Sequence, residues 1–306
     1  MELELKENFI ERYKDLMGSE YDKFIEYSSK YINKAIRVNT LKVSVPKIQK
    51  ELSERWELKP VPWCKEGFWI SYKEGDRYDI GNLPEHQLGY IYVQDPASMI
   101  PPIVLDPQPG DKVLDMCSAP GSKTTQIAQY MKNKGILIAN DADGKRLSAL
   151  GINMQRMGVH NTIITKMYGH KIKEEEFDKI LVDAPCSGTG TIRKHLKIAS
   201  MWSPKLVSRM ASVQYKLLRH AYYLTKKGGV IVYSTCTLEP EENEEVVQRL
   251  LDEFDCELLP IDLNINRTEP VKKFKGKEYS GVDNVLRINP QDNDTEGFFV
   301  AKILKK

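Results

Sequence analysis

Apolar residues recur at helical spacing early in the chain: Phe9, Ile10, Tyr13, Leu16 and Met17, then Tyr21, Phe24 and Ile25. Steps of three and four place them on one face, so a helical segment is predicted from about Asn8 to Lys34. Ala35-Ile36-Arg37-Val38-Asn39-Thr40 reads as a strand. Ser44 followed by Pro46 has the form of a helix start, and an amphipathic stretch runs on to Leu52. Apolar segments around Trp56-Glu57-Leu58 and Gly67-Phe68-Trp69-Ile70 complete a small β-α-β-β module over residues 35–92.

From Asp111 the pattern alternates. Strands are predicted at Lys112–Met116, Ile136–Asn140, Thr162–Lys166, Lys179–Asp183 and Val230–Ser234. Helices are predicted at Ser122–Met131, Lys145–Met157 and Pro204–Leu224. Regular strand–helix alternation predicts an α/β fold with a doubly wound, mainly parallel sheet. Glu239–Phe254 reads as a further helix, and Cys256–Pro260 and Gly297–Leu304 as a late hairpin at one sheet edge. The polar stretch Asp262–Asp294 reads as a long loop. The expected division is a helical segment over 1–34, the small α+β module over 35–92 and a catalytic domain over 93–306.

Composition narrows the class. A chain of 306 residues, 41% hydrophobic and 29% charged, can bury a sizeable core and is not a disordered chain. No run of eighteen apolar residues predicts a membrane span. The opening Met1–Lys6 lacks the basic and apolar segments of a secretory leader. Five cysteines without a Cys-x-x-Cys pair argue against a zinc site or a thioredoxin motif, and no metal is expected. The simplest setting is reduced and cytoplasmic. A net charge of +2 does not itself point to nucleic acid, so local basic clusters carry that question.

Leu114-Asp115-Met116-Cys117-Ser118-Ala119-Pro120-Gly121-Ser122-Lys123-Thr124 reads as a strand, a tight turn and a helix start. Such a turn lets a ligand approach backbone amides closely. It lacks the full G-x-G-x-x-G of a dinucleotide site and the early glycine of a phosphate loop. Asp141 ends the next strand, where an acidic residue can accept from ribose hydroxyls; the alternative is a cap for the following helix. Asp183 closes the fourth strand over the same crevice, or else serves only its turn. Two thiols stand just past predicted strands: Cys186 in Asp183-Ala184-Pro185-Cys186-Ser187-Gly188 and Cys236 in Tyr233-Ser234-Thr235-Cys236-Thr237. Each could instead be a small buried hydrophobe.

Taken together, Asp115–Thr125, Asp183–Thr191 and Ser234–Asn243 resemble the RNA cytosine-5 methyltransferase family of the RsmB/Sun type. The likeness extends through Arg37-Val38-Asn39-Thr40-Leu41-Lys42 and Gln94-Asp95-Pro96-Ala97-Ser98, covering roughly residues 30–303. The short form most resembles archaeal tRNA methyltransferases of that family. The resemblance implies a Rossmann-like class I methyltransferase domain with S-adenosylmethionine wrapped by Cys117, Ser118, Ala119, Pro120, Gly121, Ser122 and Lys123. It further implies Asp141 on the ribose, Arg146 beside it, and Asp183 near the methionine end and the target base. Cys236 is implied as nucleophile and Cys186 as the group assisting release. One position departs: Tyr168 stands where members often place an aspartate for the adenine amine, so that contact is unassigned.

The chemistry suits two thiols. Cytosine carbon-5 gains nucleophilicity only after a soft nucleophile adds at carbon-6, and cysteine does this near neutral pH. Asp183, if protonated, could draw electrons from the ring. The Pro-Cys motif of DNA cytosine-5 methyltransferases would instead make Cys186 the nucleophile. For RNA, Arg193, Lys194 and Trp202 beside the second motif are expected contacts, with Arg37 and Lys42 from the small module. The competing readings are a ribosomal RNA substrate in place of tRNA, an amino-group methyltransferase, and a non-catalytic RNA-binding scaffold.

Overall fold

A computed structural model describes residues 5–75, 79–173 and 176–306. The first four residues of the opening inspected for a leader lie outside this range.

The first helical stretch is two helices, α1 (Glu7–Met17) and α2 (Tyr21–Ser29), because Gly18 takes a positive φ of 53° between them. Phe9, Tyr13 and Phe24 are fully buried and pack with Trp202, Val207 and Leu238 of the catalytic domain. The small module follows: β1 (Ala35–Val38), α3 (Val45–Ser53), β2 (Trp56–Val61), β3 (Cys64–Tyr72), α4 (Pro84–Gln87) and β4 (Ile91–Val93). Its sheet is antiparallel in the order β2-β3-β1-β4. The sequence pattern missed β4, whose three residues are too few to show a period. Ser44 stands at the start of α3, but its hydroxyl makes no capping bond.

After α5 (Ile100–Leu105) come β5 (Lys112–Asp115), α6 (Ser122–Tyr130), β6 (Ile136–Asp141), α7 (Gly144–Met157), β7 (Thr162–Lys166) and β8 (Phe177–Asp183). Then follow α8 (Lys197–Met201), α9 (Pro204–Leu224), β9 (Thr225–Thr235), α10 (Glu244–Glu253) and β10 (Cys256–Leu259). The last elements are the β11 (Lys273–Phe274)/β12 (Lys277–Glu278) ribbon, β13 (Leu286–Ile288), α11 (Pro290–Asn293) and β14 (Phe298–Lys305). The large sheet runs β10-β14-β9-β8-β5-β6-β7, with β5 to β9 parallel and β14 antiparallel to β9.

Central strands are apolar on both faces because helices cover both. Leu114, Ile180, Val182 and Ile231 meet Leu217, Leu218 and Ala221 of α9 and Val246, Val247 and Leu250 of α10. Val113, Leu181 and Val232 face the other way, onto α5 and α6. Two expectations are corrected here. β10 and β14 pair antiparallel at the sheet edge as expected, but the connection between them is no turn: it carries β11, β12, β13 and α11. The polar 262–294 stretch is not a bare loop: β13 joins β14, and the buried Arg287 is neutralised by Glu244 at 2.9 Å. Among the described residues, no helix is long and apolar enough to cross a membrane.

Candidate active site

The carboxyl ends of parallel strands form a crevice, and every chemically informative motif ends there. β5 closes on Asp115, which is 1% exposed and accepts from Thr124 Oγ1 at 2.7 Å. Burial pushes its carboxyl up to about 7. The following turn reaches α6 through Gly121 at φ 105°, a conformation that disfavours any side chain. A Cβ there would also stand 2.8 Å from Leu150 Cδ1 and 2.9 Å from Met154 Cε.

The turn is pinned at several points. Ser118 N and Oγ donate to Asn140 O at 2.8 and 2.9 Å. Ala119 N donates to Asp141 Oδ2 at 3.1 Å, and Asn153 Nδ2 donates to Pro120 O at 2.8 Å. Arg146 donates to Ala119 O and pairs with Asp141 at 3.4 Å. Asp143, not Asp141, caps α7, by accepting from Lys145 N at 2.8 Å. Asp141 thus faces the turn, where each oxygen keeps a lone pair beyond its one backbone donor. An open glycine turn, a helix N-terminus and an inward carboxylate fit a nucleoside cofactor. Tyr168 is 62% exposed and stacks on His170, so it offers a ring face and no carboxylate.

The thiols meet because β8 and β9 run parallel with Asp183 opposite Ser234. Cys186 follows one strand and Cys236 the other, and their sulfurs lie 3.3 Å apart. The contact with Cys236, then burial, pushes the Cys186 thiol well above its ordinary value. Either sulfur can donate in this contact. Asp183 accepts from Lys123 Nζ at 2.7 Å and from Ser234 Oγ at 2.8 Å. Asp183 is thus held in an ion pair with Lys123. Burial alone would lower Lys123, but Asp183 outweighs it, and Cys236 adds to the effect. Burial pushes the other thiols up as well, Cys64 to about 12 and Cys256 to about 11, with Cys117 also raised.

Sequence reasoning missed the groups that hold these loops. Glu242 is fully buried and accepts from Ser187 N at 3.0 Å and Gln214 Nε2 at 2.7 Å, clamping the loop after Cys186. Thr237 Oγ1 bonds Ser187 Oγ at 2.7 Å, and Asn243 Nδ2 donates to Thr237 O at 2.9 Å. Glu239 accepts from Tyr13 OH at 2.9 Å, Trp202 Nε1 at 2.8 Å and Arg12 Nε at 2.6 Å. These bonds explain why α10 begins at Glu244 and not at Glu239. The acidic run looked like a helix start, yet its carboxylates turn inward to loops fixed by distant residues.

Comparison with known proteins fits this geometry. Residues 102–304 match the family described as 16S rRNA methyltransferase RsmB/F. Residues 5–96 match the N-terminal domain of 16S rRNA methyltransferase RsmF. The chain belongs to the RsmB/F methyltransferase family. It is an S-adenosylmethionine-dependent RNA (cytosine-5-)-methyltransferase. It is 46% identical to the tRNA (cytosine(49)-C(5))-methyltransferase of Pyrococcus abyssi, over 98% of this chain and 96% of that one. It is 42% identical to ribosomal RNA small subunit methyltransferase F of Aliivibrio salmonicida, over 98% of this chain but only 64% of that one. A methyltransferase homolog from Pyrococcus horikoshii superposes with a TM-score of 0.89 at 40% identity, covering 99% of this chain and 96% of that one.

Within this RsmB/F fold, most of the residues expected to touch RNA are committed elsewhere. Arg37 is 0% exposed; its guanidinium donates to Gln94 Oε1 at 2.9 Å and Thr125 Oγ1 at 2.8 Å, joining the small module to α6. Trp202 is 1% exposed and packs edge-on against Phe9. Arg193 is buried against Asp294 at 2.8 Å and donates to Tyr31 O at 3.0 Å. Lys42 is exposed, but its ammonium donates to Leu88 O and Arg156 O at 3.0 and 2.7 Å. Lys194 alone of the five is exposed on the loop that follows Cys186, pairing with Glu296 at 3.3 Å. The charge reversal suited to an exposed Arg193 would instead break a buried pair.

Glu242 carries a pH signature. Burial pushes its carboxyl from 4.5 to about 7. At acid pH both folded and unfolded chains hold this proton. As pH rises from 4.5 toward 7 the unfolded chain releases it first, so the group's contribution to stability falls across that window. The loss is on the order of 3 kcal/mol. Glu242→Gln removes this titration. The stability of the variant relative to wild type should therefore improve between pH 5 and about 7.5 in denaturant melts. Parallel curves for the two proteins would show that Glu242 does not titrate there.

Proposed function

We propose that this enzyme methylates carbon-5 of a cytosine in tRNA, with Cys236 as nucleophile and Cys186 assisting release. The observation that carries this reading is the pair of sulfurs 3.3 Å apart, beside the Lys123–Asp183 ion pair. Cys117 to Lys123 would wrap S-adenosylmethionine, with Asp141 on its ribose, Arg146 beside it and Asp183 toward its sulfonium. When bound, the cofactor supplies an electrophilic methyl group.

Cys236 attacks carbon-6 as a thiolate, forming a sulfur–carbon bond and shifting the ring electrons toward carbon-5. Lys123 and Asp183 present one donor and one acceptor side by side, the pattern that suits the N3 and exocyclic amine of cytosine. Once carbon-5 bears the methyl group, its proton must leave. The carbon-5–hydrogen pair then re-forms the ring double bond, and Cys236 departs as a thiolate. Cys186 stands beside that bond and, once its own proton has passed to solvent, can receive the carbon-5 proton, directly or through a water. Cys236, in Ser234-Thr235-Cys236-Thr237, is the nucleophile in this reading, and Cys186 is its partner in release.

The tRNA substrate is supported by shared length: the chain spans nearly all of the Pyrococcus abyssi tRNA enzyme. A ribosomal substrate is the second reading, favoured by identity to the bacterial small-subunit enzymes, of whose length the chain spans 64%. Five unpaired cysteines suit action in the cytoplasm. Bisulfite sequencing of total RNA from cells with and without this protein tests the substrate. A tRNA cytosine protected only in its presence is expected. Protection confined to ribosomal RNA would establish the second reading, and no protected cytosine would reject both.

A further inference from the structure

With Arg37, Arg193 and Trp202 buried, the path of the RNA strand must lie elsewhere, and one trough on the small module remains uncommitted. It has a volume of about 230 Å³ and runs between the β2–β3 edge of the small sheet and the α11 corner. Its lining includes Asn33, Lys34, Glu57, Lys59, Trp69 and Asp294. Through Asn33 and Lys34 it continues into a cavity of about 80 Å³ that reaches Lys194 and Glu296. Glu296 directly precedes Gly297, whose N–H donates to Gly190 O at 2.9 Å, and Gly190 N–H donates to Cys236 O at 3.0 Å, so the trough leads toward the loop that carries the reacting sulfur.

Its chemistry is that of a single-strand platform. Trp69 is partly exposed, and its plane is set by edge-on packing against Trp63, 5.8 Å away at 89°. Lys59 Nζ stands 5.6 Å from the Trp69 ring and Lys34 Nζ 5.3 Å from the Tyr31 ring. Among the described residues neither ammonium has a carboxylate partner. Asp294 is already neutralised by Arg193 at 2.8 Å and accepts from Asn33 at 2.6 Å. Two such positive charges lining one trough with a fixed aromatic suit one nucleotide, not a duplex. A cytosine drawn out of its stack leaves its neighbour unstacked as well, and that neighbour needs a surface.

We propose that this trough holds the nucleotide adjacent to the target cytosine, its base against Trp69 and its phosphate between Lys34 and Lys59. The proposal rests on the cytosine-5 reading above and adds a second RNA subsite to it. The test uses the full chain with an unmodified tRNA transcript. Trp69→Ala should raise KM for RNA between about fivefold and a hundredfold, the scale of removing one base–aromatic stack. Trp69→Phe should restore most of it, and kcat at saturating RNA should stay near wild type in both. The double variant Lys34→Gln/Lys59→Gln should flatten the dependence of log affinity on log salt by about 0.7, the contribution of one single-strand phosphate no longer neutralised. Affinity for S-adenosylhomocysteine should not change. If Trp69→Ala fails to fold, the lysine pair decides alone. Normal methylation with unchanged salt slope and KM in the lysine variant would take RNA out of the trough and leave that surface to a protein partner. A wild type that binds RNA through the trough yet puts no methyl on carbon-5 would reject the enzymatic reading and leave the trough standing.

Discussion

Replacing Cys236 with alanine is expected to abolish methyl transfer while leaving affinity for cofactor and RNA intact. Without the sulfur, no bond forms at carbon-6 and carbon-5 stays unreactive. Loss of a nucleophile costs other covalent enzymes factors on the order of 10,000 or more, and a similar fall in kcat is expected here. The fold should survive, because the loop is held through backbone: Gly190 N donates to Cys236 O at 3.0 Å, and the Thr237 and Asn243 bonds do not use the thiol. Cys186→Ala should behave differently. It still permits attack but slows release, so a protein–RNA adduct should accumulate on denaturing gels with natural substrate. Single-turnover assays of both variants separate the two roles. An active Cys236→Ala protein beside an inactive, adduct-free Cys186→Ala protein would exchange the assignments.

A single methyl group added at Gly190 should be nearly as damaging, for a reason that involves no chemistry. Gly190 and Gly297 lie back to back, with Gly297 N donating to Gly190 O at 2.9 Å. A Cβ at position 190 would stand 2.2 Å from Gly297 O and 2.8 Å from Cys236 O. These are backbone atoms that cannot swing aside, so the strand end carrying Cys236 must move. Forced overpacking of this kind costs about 1–3 kcal/mol. Gly190→Ala should therefore melt several degrees lower and lose at least tenfold in kcat, since small displacements of a reacting group are costly. Affinity for S-adenosylmethionine should remain, because the Cys117–Lys123 turn is built on β5 and β6. A Gly190→Ala protein with full kcat would show that this glycine pair does not position the thiol.

The elements easiest to read from sequence were those whose own residues carry a period. β7 and α9 fall on their predicted bounds because alternating or helical spacing continues to their ends. The crevice was legible for the same reason, since each motif directly follows an apolar strand. Side chains whose partners lie far along the chain were not legible. Arg37 follows Ile36 in a strand and looks like an outward basic residue. Its acceptors, Gln94, Thr125 and Gln129, arrive from 57, 88 and 92 residues away. Trp202 read as a base-stacking ring, but α1 covers it and Glu239 takes its indole N–H. Glu239 and Glu242 read as part of a helix, whereas one ties the N-terminal helices to the site and the other clamps the Cys186 loop. Polarity tells what a side chain can bond to; only topology tells whether water or protein supplies the partner.

The covalent step can be read atom by atom. An RNA carrying 5-fluorocytosine at the target blocks loss of the carbon-5 substituent and should trap the wild-type enzyme. Digesting that adduct and sequencing the modified peptide by mass spectrometry locates the attached sulfur. The nucleotide should be found on Cys236. Finding it on Cys186, or recovering no adduct from an enzyme that methylates normal RNA, would contradict the account.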